Sequence, residues 1–227
     1  MNFMRIFVVV CVVVVCSLIG SSLWVGWYTT LTTERGAAEQ AGLIVFAIGA
    51  LMSALRMPAG AWRLWWPIPA VFVLFCLREL DVHNAFFEPG LLQTRVFISP
   101  LPIWQKIVSA LAMGAVVLTL VTLLVRGLRP MAKALRAGQG WAWGVVFGLF
   151  CAIASVLIDG ADRQLAAIGV TLPYADSLIW VALEEMLELC FALSLIFAIC
   201  MWGRQQEHAT LAQRHRASGK TTSSDPR

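Results

Sequence analysis

Three short stretches of this chain hold residue types that can do chemistry. They are Arg78-Glu79-Leu80-Asp81-Val82-His83, Asp159-Gly160-Ala161-Asp162-Arg163 and Glu184-Glu185-Met186-Leu187-Glu188. The third is the strongest signal. Glu184 and Glu188 are spaced i, i+4 on a helix, Glu185 is i, i+3 from Glu188, and all three fit in an arc of about 100°. Carboxylates grouped in this way can serve as general acid and general base. Glu185, Glu188 and Asp159 are the candidate acid–base residues, with Arg78 and Arg163 as the charged partners of a reacting group. Glu79 and His83 are also i, i+4. Together with Glu184 and Glu188 they form an oxygen-and-nitrogen donor set that suits a divalent metal ion as cofactor. A single histidine in the set argues against a zinc site built from several imidazoles.

What must position these residues is an apolar scaffold. Hydrophobic residues make up 59% of the chain and charged residues 13%. A soluble domain needs about a quarter of its residues charged. The apolar runs reach the ~20 residues that a ~30 Å hydrocarbon core asks of a helix. The sequence predicts an all-α integral membrane protein, a bundle of about six transmembrane helices. The predicted spans are 6–28, 38–55, 65–80, 104–125, 141–158 and 177–202. Residues 1–202 form the membrane domain, and residues 203–227 a polar cytoplasmic tail that is largely irregular. The first apolar run has a short n-region but no A-x-A site, so it reads as a retained signal anchor. Many of the ten tryptophans fall near span ends, where their amphipathic rings prefer the headgroup level. The segment between the third and fourth spans alternates Phe86, Phe87, Leu91, Leu92, Phe97 and Ile98 with polar residues, and is expected to lie on the membrane or on the bundle.

Orientation follows from the basic residues. With the N-terminus cytoplasmic, twelve of the seventeen Lys and Arg fall inside. They include Arg56 and Arg63, the group Arg126, Arg129, Lys133 and Arg136, and the tail residues Arg204, Arg214, Arg216, Lys220 and Arg227. Eleven of the thirteen acids fall in the outer half. This is the positive-inside pattern, and it predicts both termini in the cytoplasm and a plasma-membrane location, the inner membrane in a bacterium. The basic balance therefore reports topology and gives no reason to expect nucleic acid as a partner. The lipid bilayer is the expected environment. A lipid-like substrate and a homodimer or membrane-protein partner are the other partners considered.

All six cysteines lie in apolar runs without a C-x-x-C pair, as small buried hydrophobes do. No G-x-S-x-G, H-E-x-x-H or phosphate-loop pattern occurs. Gly144-x-x-x-Gly148 and Ala110-x-x-x-Gly114 allow close helix approach, more often within one chain than between copies. The function is thus bounded rather than specified. One reading is a membrane-embedded metal-dependent or acid–base enzyme acting at the outer leaflet. Another is a non-enzymatic assembly or sensor subunit, with Arg78, Arg95 and Arg163 locking Glu and Asp into buried ion pairs. An ion- or proton-coupled transporter fits least, because the acids do not obey inverted-repeat symmetry.

Overall fold

A computed structural model describes residues 3–32, 36–57, 65–159, 165, 169 and 174–221. Among them the regular structure is all helical, without strands. The elements are α1 (Phe3–Val25), α2 (Trp27–Thr32), α3 (Ala37–Leu55), α4 (Pro67–Glu79), the single turn α5 (Val82–Ala85), a 3-10 turn (Thr94–Phe97), α6 (Ile103–Arg136), α7 (Gly140–Ile158) and α8 (Tyr174–Thr221). Five helices are long and apolar enough to cross a membrane: Met4–Val25, Ala37–Leu55, Ile103–Arg136, Gly140–Ile158 and Leu178–Gln206. The third predicted span corresponds to α4, whose 13 residues cover only about 20 Å. The residues before it, 58–64, lie outside the described set.

The bundle is organised around α8. It packs most extensively on α7 and also touches α3, α2 and α1. Half of its apolar window is buried, against 11% for α1 and for α6. Those two helices are therefore the lipid-facing periphery. Gly144 and Gly148 of α7 make the close seam with α8. A Cβ on Gly144 would stand 3.0 Å from Phe197 and 3.4 Å from the Ser194 carbonyl, and one on Gly148 would meet the Ser194 hydroxyl. The glycine pair thus serves packing within the chain. Gly114 of α6, in contrast, has nothing near it.

Aromatic rings tie the centre together. Phe46 of α3 stacks on Phe75 of α4 with centroids 5.0 Å apart. Phe75 meets Phe191 of α8 edge-on at 4.9 Å. Phe46, Phe72 and Phe191 are buried, and the ring of Phe72 fills the space that Gly49 leaves on α3. At one end of the bundle Arg56, the C-cap of α3, donates to the carbonyls of Ile199 and Cys200 on α8 at 3.4 and 3.5 Å. Gly203 leaves room for that guanidinium, and Trp65 and Trp202 pack beside each other with centroids 6.2 Å apart.

Three boundaries differ from the sequence expectation. The first span breaks at Gly26, whose φ of 93° is a conformation that L side chains rarely adopt. The break turns α2 inward: Thr30 is buried, donates to the Gly26 carbonyl at 2.9 Å, and sits 3.0 Å from the Ser21 hydroxyl. The helix of the fourth span runs on past 125 to Arg136 and contains Pro130. That of the sixth continues past 202 to Thr221. Both extensions are rich in Leu, Arg, Lys, Gln and Ala, which favour helix whether or not lipid surrounds them.

Candidate functional site

The acids and Arg78 converge from three helices. Glu39 lies in the first turn of α3, Arg78 and Glu79 end α4, and Glu184, Glu185 and Glu188 lie in the N-terminal part of α8. Each helix places its acid one to two turns from the aromatic layer: Glu39 before Phe46, Glu79 after Phe75, and Glu188 before Phe191. Carboxylates therefore cluster at one level, with buried rings beneath them.

Glu188 is the structural centre of the cluster. Its Oε1 accepts a charge-assisted bond from Arg78 Nη2. The same oxygen lies 3.3 Å from Ser155 Oγ, which donates from α7. Ser155 is 2% exposed, so a fourth helix is held by this carboxylate. Arg78 keeps 53% of its side chain exposed while Glu188 keeps 20%. One face of the guanidinium thus stays open to whatever approaches from outside the bundle.

Glu79 and Glu185 are half-buried and do not share that bond. Glu79 interacts with Glu188, Arg78 and Glu39, and its carboxylate faces Gly42, where a Cβ would stand 3.9 Å away. Glu188, Glu79, Glu39 and Glu184 act on Glu185 as like charges, while Arg78 is bonded to Glu188. Coulomb repulsion between carboxylates is strong where water is scarce, so such a group calls for a proton or a cation.

The structure places Arg78, Glu79, Glu184, Glu185 and Glu188 near one another. Asp159 is exposed at the end of α7, one turn beyond Ser155, and its backbone N–H bonds to the Ser155 carbonyl at 2.8 Å. Asp81 is also exposed; it accepts from Asn84 at 2.8 Å. His83 lies in the turn α5, and its side chain, like Asp162 and Arg163, falls outside the described residues. Lys106 donates to the Phe97 carbonyl at 3.2 Å. Among the described residues no three His, Cys, Asp or Glu side chains form a group that could hold a metal ion.

Two members of the site escape a reading of sequence alone. Glu39 looks like an ordinary acid at a helix start, a position that acids favour for the helix dipole. Ser155 is one hydroxyl in an apolar run. The one usable signal is that Ser155 lies in the turn leading to Asp159.

No protein-family model, characterised protein or solved structure matches this chain. The fold and site together define its class at a coarse level. A helical chain with five helices long and apolar enough to cross a membrane has the make-up of a multi-pass membrane protein.

Proposed function

We propose that this chain spans the plasma membrane about six times, with both termini in the cytoplasm, and that the carboxylate cluster around Glu185 is its working centre. There Glu185 and Glu79 carry protons for acid–base chemistry on a lipid-like substrate, while Glu188, fixed by Arg78 and Ser155, positions them. The observation that carries this reading is that Glu185 faces acidic charges within an apolar helix. Ionisable groups inside a span are costly and are kept for function more often than in soluble proteins. Lipid access is supported by the exposed side chains on either side of the cluster, Val73, Leu77 and Leu80 on α4 and Val181, Leu183 and Met186 on α8. The open face of Arg78 suits an anionic headgroup. Asp159 and Arg163 border this region in sequence. Glu79, Glu184 and Glu188 do not come together as a group that could hold a metal ion, and the His83 side chain lies outside the described residues, so the counter-charge proposed here is a proton.

Infrared difference spectra between acidic and alkaline samples of the purified protein test the reading. Glu185→Gln should remove a protonated-carboxyl band, and lipid profiles of cells overproducing the parent protein should differ from those producing Glu185→Gln. Identical bands and identical lipids would sink it.

A second reading has its own observation. Glu188 joins α4, α7 and α8, which is what a register lock in an assembly or sensor subunit requires. On that reading no carboxyl in the cluster titrates, and the lipid profile does not depend on Glu185.

A further inference from the structure

The strongest feature outside the acidic cluster is the far end of α6. Arg126, Arg129, Lys133 and Arg136 are all exposed. In a continuous helix their spacing of three, four and three residues places them in an arc of about 80°. Leu128, Met131 and Leu135 fall on the opposite side. An amphipathic helix with this division is suited to lie in a membrane interface, with the basic side chains among headgroups.

Helix lengths point the same way. α6 ends in a tight reversal: Gly138 has a φ of 65°, and the Gln139 N–H reaches back to the Ala134 carbonyl at 2.9 Å. Arg136 and the start of α7 at Gly140 therefore share one level. α7 has 19 residues, about 28 Å, or one hydrocarbon thickness. α6 has 34 residues, about 51 Å. The excess is about 15 residues by the same rise per residue, and the four cations mark which residues avoid the hydrocarbon. Pro130 lies inside this stretch and cannot donate to the Arg126 carbonyl, so the helix ladder is weakest near the membrane boundary.

We propose that residues 126–136 lie along the membrane surface and bind the headgroups of anionic phospholipids. The occupant follows from charge complementarity. Four exposed cations on one arc, beside an apolar arc, match a surface that is both anionic and oily. The inference needs the chain to be membrane-embedded, but it does not depend on the chemistry of the acidic cluster.

The test uses the full chain purified in detergent and mixed with equal amounts of phosphatidylglycerol and phosphatidylcholine. Retained lipid is read by native mass spectrometry. The parent protein should retain phosphatidylglycerol preferentially, and added salt should weaken the preference. R126Q/R129Q/K133Q/R136Q should lose it, with about a fivefold fall for each cation removed near the surface, the factor that ~1 kcal/mol represents. R126K/R129K/R136K should keep it, since a surface potential reads charge rather than guanidinium shape. Should the fourfold variant fail to fold, K133Q/R136Q supplies a milder decrease with the same expected sign. Equal retention of the two lipids by the parent protein, or the same preference in parent and Gln variants, would overturn the proposal.

Discussion

Two glutamates three residues apart, Glu185 and Glu188, are predicted to respond oppositely to the same substitution. Glu188→Gln weakens the bond to Arg78 and leaves that cation poorly matched. Because Arg78 is half-exposed, water recovers part of the loss. The cost should be about 1–2 kcal/mol, below the ~3–5 kcal/mol of a fully buried pair. Glu185→Gln removes one member of a repelling group and should leave the melting temperature in detergent unchanged or higher. Ser155→Ala deletes one donor to Glu188 and should cost about 1 kcal/mol. A melting temperature that falls as far for Glu185→Gln as for Glu188→Gln would show that Glu185 has a stabilising partner of its own. The arc of Glu184, Glu185 and Glu188 was legible in sequence because i, i+4 spacing fixes a helix face. Arg78 was legible only as one candidate partner beside Arg95 and Arg163, because all three fall at the same predicted level. Glu39 and Ser155 were not, because joining them to the site requires knowing which helices are neighbours.

At the scale of elements, that neighbour relation is what hydropathy conceals. The outside of a membrane helix is as apolar as its inside, so no amphipathic stripe marks the buried face. The spacing Gly144-x-x-x-Gly148 is an exception, since small residues signal close approach directly, and α8 fills that groove. Gly148→Leu should force α7 away from α8, pull Ser155 from Glu188, and lower the yield of folded protein far more than Gly114→Leu, which faces open space. Gly26→Ala places a side chain at positive φ and should cost about 1–2 kcal/mol, seen as a lower melting temperature. Hydropathy also locates where charge begins rather than where helix ends. That is why α6 and α8 run on beyond their predicted spans: Arg126–Arg136 and the residues after Trp202 are polar, yet good helix formers.

The whole molecule divides its charge between its ends. Arg56, held against α8 beside Trp65 and Trp202, marks one end, and the glutamates mark the other. Reporter domains fused after Gly138 or Ser218 should read as cytoplasmic, and one fused after Thr94 as external. A cytoplasmic signal at Thr94 would invert the orientation and disperse the proposed working centre.

The ring layer of Phe46, Phe72, Phe75 and Phe191 has an electrical consequence. On the proposed reading, an ion or proton that reaches the glutamates from their own end meets these rings and the apolar core beneath them, and must leave by the same way. On its path it crosses only part of the membrane voltage, of which the whole is worth ~2.3 kcal/mol per elementary charge at 100 mV. Occupancy of the glutamates should therefore shift with membrane potential, while no steady current flows. Phe191→Ala leaves Met52, Ile196 and Ile199 packed beneath it and should not by itself let a steady current pass.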